Sequence, residues 1–297
     1  MTTALVTGAS GFLGRHLVQV LEEQYDAVDR VDLRAPDEPA SGEAYVADLR
    51  DVLPSLPRYD AVFHLAATVG GRAGIEDGPL RVAGNLALDV AFFDYVARSK
   101  PAHAAYLSSS AVYPDADLSF AEGCVRPDAA TFGRPDGTYG WVKLTGEHLA
   151  NVVRERSGVT VSCYRPFTVY GPHQSADYPV TAIAARALAR EDPLTLWGSG
   201  EQVRDLVYVG DAVAAIAATH RLDVPALNVC TGIGTDFRTV ARTAADIVGY
   251  RPSIVGDAQR PAGVARRVGC PDLLATWYTA KTPVEDGVRR VLDWLSG

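Results

Sequence analysis

Short apolar runs alternate with amphipathic stretches from the first residues onward. The runs at 4–7 (ALVT), 60–66 (DAVFHLA), 103–109 (HAAYLSS), 159–166 (VTVSCYRP) and 226–231 (ALNVCT) read as strands of a mostly parallel sheet. Leu13, Leu17, Val20 and Leu21 fall on one face of a helix after the first run. Val82, Leu86, Val90, Phe93 and Ala97 share a face of a later one. A third helix begins near Tyr139, turns Val142, Gly146, Leu149 and Val153 inward, and stops at Gly158. This alternation predicts an α/β fold, a doubly wound parallel sheet covered by helices.

The stretch 114–137, with Pro114, Pro127 and Pro135, reads as a loop between a strand and a helix. After Tyr170-Gly171-Pro172 the pattern changes to short helices and a Pro-containing, hairpin-like stretch, returns to sheet near 226–231 and ends in helices. The expected organisation is a dinucleotide-binding part at 1–170 and about 205–240. A smaller interleaved lobe for substrate takes about 171–204 and 241–297.

Composition narrows the functions open to such a fold. With 47% hydrophobic and 22% charged residues in 297, the chain is an ordinary globular protein. Its net charge of −8 gives no electrostatic footprint for nucleic acid or an anionic membrane, so an anionic ligand must be held locally. No segment keeps about 18 apolar residues free of charge, and the N-terminal MTTALVTGAS lacks the pattern of a signal peptide. The four cysteines, Cys124, Cys163, Cys230 and Cys270, form no CxxC pair, and the six histidines show no metal spacing. A reducing compartment, by default the cytoplasm, and no metal are expected.

The first strand runs into Gly8-Ala-Ser-Gly11-Phe-Leu-Gly14, and a helix follows. Such glycines permit a tight turn and close approach of backbone to a pyrophosphate, while the helix N-terminus offers unpaired N–H groups to the anion. Gly8, Gly11, Phe12, Leu13 and Gly14 are thus the candidate dinucleotide loop. Asp32 ends the second strand at the separation where a carboxylate meets the adenosine ribose, which favours NAD over NADP. Arg34 keeps the other choice open, because its guanidinium could hold a 2′-phosphate. Asp48 and Leu49 follow the third expected strand, toward the adenine, and Leu65, Ala66 and Ala67 end the fourth with small residues beside the cofactor.

Tyr139 and Lys143 lie four residues apart on one helical face. A free phenol titrates near about 10, too high for a base at neutral pH, and an adjacent ammonium with a cationic nicotinamide would favour the phenolate. A Y-x-x-x-K pair is common on helix surfaces. Here it follows a glycine loop, and Ser108-Ser109-Ser110 ends the strand before it, where a hydroxyl could bond the reacting carbinol oxygen. A serine hydrolase lacks support, since no G-x-S-x-G elbow is present.

On these motifs the sequence resembles the extended short-chain dehydrogenase/reductase family, in its NAD-dependent nucleotide-sugar epimerase/dehydratase branch. The resemblance spans nearly the whole chain: TGASGFLG at 7–14, VDLR at 31–34, FHLAA at 63–67, SSSAVYP at 108–114, YGWVK at 139–143, RPFTVYGP at 165–172 and GEQVRDLVYVGDAV at 200–213. It implies a Rossmann-type fold with a second lobe for the nucleotide diphosphate, and homodimers formed through two helices per subunit. It places Ser109, Tyr139 and Lys143 in the catalytic set, and Gly8, Gly11, Gly14, Asp32 and Pro166 at the NAD site. Asn85 matches an asparagine common after the fourth strand. Arg204 and Arg260 match phosphate-binding arginines, and Ser109, Ser110 and Thr168 fall among the substrate-binding positions.

Departures from the family pattern narrow the chemistry. Ser110 and Ala111 stand where family dehydratases carry Asp-Glu, and Ala111 also where decarboxylating relatives carry Glu and 3,5-epimerases carry Cys. Val69-Gly70-Gly71 and Tyr113-Pro114 keep a local likeness to the epimerase/reductases, and Thr168 replaces a common Asn. The reading these residues imply is an NAD-dependent nucleotide-sugar epimerase inverting C4 through a transient keto sugar. An NAD(P)-dependent keto-sugar or aldehyde reductase is the alternative. A sugar dehydratase and a non-catalytic dinucleotide sensor rank below both.

Overall fold

The computed structural model describes residues 1–70, 77–114, 133–260 and 263–297. Its centre is a seven-stranded sheet in the order β10-β6-β5-β4-β1-β2-β3. The strands are β1 (Thr3–Thr7), β2 (Ala27–Asp32), β3 (Ala44–Val46), β4 (Ala61–His64), β5 (His103–Leu107), β6 (Thr160–Pro166) and β10 (Ala226–Val229). Every neighbouring pair in it is parallel, with Thr7 opposite both Val31 and His64. Parallel strands buried on both faces need apolar residues throughout, and β1, β4 and β6 are almost wholly buried. The order reverses between β1 and β4, which opens a crevice at their C-terminal ends.

Helices α1 (Phe12–Leu21) and, later in the chain, α7 (Val209–Thr219) cover one face through Leu17, Val18, Leu21, Ala212 and Val213. The other face takes α2 (Leu49–Val52), α4 (Asn85–Ser99) and α5 (Gly137–Ser157) through Leu49, Phe92, Val96, Ala150 and Val153. The expected run from Val82 to Ala97 is divided at Gly84 into α3 (Pro79–Ala83) and α4. Val82 and Phe93 are buried as expected, whereas Val90 is 55% exposed. The buried stripe of α4 instead runs through Asn85, Asp89, Phe92 and Val96, two of which are polar. Helix α5 ends as expected, with Gly158 in the left-handed region at φ 72°.

A second layer holds α6 (Pro179–Leu188), α8 (Phe237–Val248) and α10 (Val284–Ser296), packed through Val180, Ile183, Val240, Val288 and Val291. They cover β9 (Val203–Tyr208), which pairs with β7 (Thr168–Tyr170), β11 (Gly234–Asp236) and β13 (Arg266–Arg267). The hairpin-like stretch after 190 is not a hairpin: β8 (Leu194–Trp197) pairs with β12 (Ile254–Asp257), and β9 joins the other sheet. Gly198 and Gly200 turn the chain away between them, at φ 64° and 77°. Strands β7, β9 and β11 thus belong to a sheet separate from the seven-stranded one.

Buried Asp205 of β9 joins these parts. It accepts hydrogen bonds from Thr231 N (2.8 Å) and Oγ1 (2.7 Å), Gly232 N (2.9 Å) and Gly269 N (3.2 Å). Burial raises its pKa, and those donors oppose the rise. Among the described residues no helix is long and apolar enough to cross a membrane, and no cluster suited to a metal occurs. Cys163, Cys230 and Cys270 are buried, and Cys124 lies outside the described residues, as do Gly71 and most of the loop expected at 114–137.

Candidate active site

The glycine loop joins β1 to α1. Gly8 has φ 74°, and its N–H donates to Val31 O at 2.8 Å. A Cβ there would stand 2.5 Å from Ala66 N, and one on Gly14 would overlap Gly8 O, so both positions demand glycine. At Gly11 a Cβ would meet only Gly8 O, at 3.1 Å. Gly11 is also the N-cap of α1 and supplies no side-chain cap, which leaves the first helical N–H groups of Phe12, Leu13 and Gly14 to an outside acceptor. Phe12 and Leu13 pack their side chains on the core. A loop this narrow beside an uncapped helix start fits a pyrophosphate.

Asp32 accepts from Ser10 N and Arg34 N, both at 3.0 Å, and the Arg34 guanidinium donates to Ser10 O at 2.8 Å. Asp48 caps α2 through Arg50 N at 2.9 Å and binds the Arg50 guanidinium, whose hydrogen bonds hold the Asp48 carboxyl below its ordinary range. Leu49 gives its side chain to the core. Leu65, Ala66 and Ala67 follow β4, where Leu65 N donates to Thr7 O at 3.0 Å. Buried Asn85 clamps the next residue of that loop, accepting from Thr68 N (2.6 Å) and donating to Thr68 O (2.9 Å). Pro166, buried, ends β6. These positions share the C-terminal edge of the sheet.

Ser109 lies just past β5 at the same edge and accepts from Ala111 N at 3.1 Å. Tyr139, in the first turn of α5, is half-buried, and Lys143 one turn on is buried. Burial pushes the Tyr139 phenol well above its ordinary value, Tyr178 and Asp89 add to this, and a hydrogen bond with Ser109 opposes it. Lys143 Nζ stands 5.9 Å from the Tyr139 ring centroid and 4.7 Å from that of Tyr106. Burial lowers the Lys143 pKa, and the carboxylates of Asp89 and Glu147 oppose the fall.

Glu147, one further turn along α5, joins a buried set that frames the serine segment. It accepts from Arg165 Nε (2.8 Å), Arg165 Nη2 (2.6 Å) and Ser108 Oγ (2.5 Å). Arg165 also donates to the Tyr113 hydroxyl at 3.1 Å, and Tyr113 donates to Asn228 Oδ1 at 2.5 Å. Strands β5, β6 and β10 and helix α5 are thereby tied around Ser109.

Between this edge and the second layer lies a cavity of about 280 Å³. Of the expected substrate residues, Ser110, Thr168 and Arg204 line it. Ser109 and Arg260 do not; Arg260 reaches over the ring of Trp197, a lining residue, and pairs with Asp257 at 3.7 Å. The cavity also brings in Arg186, Gln202, Phe237 and Arg267, which sequence reasoning missed. Arg186 and Arg267 lie outside the recognised motifs, and only the fold turns them inward. Arg267 is buried and donates to Ser110 O (2.5 Å) and Pro114 O (3.1 Å).

Residues 4–230 match the model of the NAD dependent epimerase/dehydratase family. A Bacillus subtilis (strain 168) protein, the uncharacterized UDP-glucose epimerase YtcB, is 30% identical over 72% of this chain and 71% of its own. Among solved structures, MoeE5 in complex with UDP-glucuronic acid and NAD aligns with a TM-score of 0.87 at 29% identity, covering 99% of both chains. The UDP-glucose 4-epimerase of Thermus thermophilus in complex with NAD aligns with a TM-score of 0.86 at 26% identity, over 100% of this chain and 99% of that one. The chain belongs to the NAD dependent epimerase/dehydratase family.

Proposed function

We propose that this protein is a nucleotide-sugar epimerase that inverts C4 through a transient keto sugar, with NAD as a resident cofactor. The observation that carries the proposal is that Ser109, just past β5, shares the sheet edge with the glycine loop, while buried Lys143 holds its Nζ 5.9 Å from the Tyr139 ring. Gly8, Gly11, Phe12, Leu13 and Gly14 would hold the pyrophosphate, Asp32 with Arg34 the adenosine ribose, and Asp48 and Leu49 the adenine edge. Leu65, Ala66, Ala67 and Pro166 would wall the nicotinamide side. When bound, NAD supplies a reversible hydride acceptor.

Tyr139 takes the proton of the sugar hydroxyl, with Ser109 bonding the same oxygen, and returns it after the keto sugar has turned its other face. Burial pulls the phenol up, and the Lys143 ammonium, 5.9 Å from the Tyr139 ring, would favour the phenolate against that pull. Arg204 and Arg260 bind the diphosphate from the lobe, and Ser110 and Thr168 face the sugar. Ala111 provides no further acid or base, which suits inversion by oxidation and reduction at one carbon and not elimination.

The names of the relatives make UDP-sugars the first substrates to test. Purified protein is denatured to identify the released cofactor. Intact protein is then incubated with UDP-, GDP-, ADP-, CDP- and dTDP-sugars in deuterated water. Inversion of the hydroxyl carbon without solvent deuterium is expected. Stoichiometric nicotinamide turnover would replace the proposal with a reductase, and deuterium next to a carbonyl would replace it with an enolising enzyme.

We further infer a homodimer joined through α4 and α5. These helices pack side by side and leave Val90 and Trp141 at 55% and 47% exposure. A cytoplasmic location agrees with the free thiols of Cys163 and Cys270 and with the absence of a membrane-spanning helix among the described residues.

A further inference from the structure

Behind Lys143 the structure buries a chain of polar side chains that the proposed chemistry does not use. Asp89 of α4 is fully buried and accepts the Tyr106 hydroxyl at 2.8 Å and His64 Nε2 at 3.2 Å. His64 is paired at Nδ1 with Thr7 Oγ1 at 2.7 Å and stacks on Phe92 with centroids 4.4 Å apart. Burial lowers the His64 pKa, so the ring is neutral, with Nε2–H donated to Asp89 and Nδ1 accepting from Thr7. The Tyr106 ring lies against α5 at Gly146, where any Cβ would overlap the phenol oxygen. It cannot slide away from the face on which the Lys143 ammonium rests.

We propose that Asp89, held by Tyr106 and His64, is a positioning residue that keeps the Lys143 ammonium charged and seated on the Tyr106 ring beside Tyr139. A carboxylate buried beside Phe92 and Val96 loses its hydration, and two neutral donors do not cancel its charge. The groups facing Lys143 are Asp89 from α4, Tyr139 and Glu147 from α5, Tyr106 from β5, His64 from β4 and Cys163 from β6. Burial raises the thiol pKa, leaving it neutral. Glu147 is engaged by Arg165, whereas Asp89 has no guanidinium partner among the described residues. Asp89 and Lys143 therefore balance each other across the Tyr106 ring.

The inference rests on Tyr139 and Lys143 being the proton-handling pair, and its test needs no sugar turnover. Phenolate absorbance is titrated in the NAD-loaded protein and in Asp89→Asn, each with and without Tyr139→Phe, so that the difference isolates Tyr139. Without Asp89, Lys143 gives up its proton before Tyr139 does. The Tyr139 ionisation is then expected about one pH unit higher. Where turnover is measurable, kcat falls by about tenfold with an unchanged KM, and the acid limb of its pH profile moves the same way.

A downward shift would mean that Asp89 acts on the phenol by charge alone. Either that or an unmoved titration overturns the proposal. Should Asp89→Asn fail to fold, Tyr106→Phe keeps the ring and deletes only the hydroxyl. It is expected to shift the titration upward by less, and no shift would equally overturn the inference. An upward shift in a protein that turns over no nucleotide sugar would leave the positioning role standing and refute the epimerase.

Discussion

Burial pushes the phenol of Tyr139 up, and its proposed role depends on Ser109 and the Lys143 ammonium, 5.9 Å from its ring, opposing that push. Tyr139→Phe keeps the ring and removes the proton carrier. Turnover is expected to fall by about a hundred- to ten-thousandfold in a steady-state assay, with melting temperature and retained cofactor unchanged. His220 offers a stability test at the same scale. It is buried beneath Tyr25, pairs with the Tyr25 hydroxyl at 2.6 Å, and its pKa is lowered to about 4, mainly by burial. The unfolded chain binds a proton at His220 near pH ~6.5 and the folded one only near about 4. Folding stability due to this group is complete above about pH 6.5 and is lost as pH falls toward about 4, with a limit of about 3 kcal/mol. Urea unfolding of the native protein and of His220→Gln at pH 7 and near pH 4 checks it, the gap between the two narrowing in acid.

Elements are legible where periodicity is strong, and obscure where contact decides. The strands at 4–7 and 103–107 and the helix ending at Gly158 carry their own pattern, and the glycine loop is nearly readable letter by letter. Val90 falls outside the buried stripe because α4 buries the neighbouring Asp89 in its place, and Asp89 finds its partners on β4 and β5. The pairing of β8 with β12 joins segments far apart in sequence, which no local rule reports. Two predictions belong to elements. Gly8→Ala forces a Cβ toward Ala66 at φ 74° and is expected to cost about 1–3 kcal/mol and most of the retained NAD, read by denaturation and by cofactor release. Glu147→Gln breaks the bidentate hold on buried Arg165 that joins α5 to β6. A loss of about 3–5 kcal/mol in urea unfolding is expected, larger than for the paired change Glu147→Leu with Arg165→Met.

At the scale of the whole molecule, the layers and the crevice follow from the strand order, and the cavity is walled by Ser110 on one side and by Ile183, Arg204 and Phe237 on the other. The proposed dimer is tested on the same scale. Val90→Glu combined with Trp141→Glu places charge on the outer faces of α4 and α5 and is expected to shift sedimentation from dimer to monomer while leaving circular dichroism intact. The sheet also has a consequence for how the chain is made. Strand β6 lies next to the outermost strand, β10, and residues 167–225 separate the two. A ribosome adding about 5–20 residues each second therefore leaves the β6 edge bare for several seconds. Nascent chains stalled before Ala226 are expected to recruit a holdase chaperone, and those extended well past Val229 to release it. The interval between those two lengths is when newborn molecules can stick to one another.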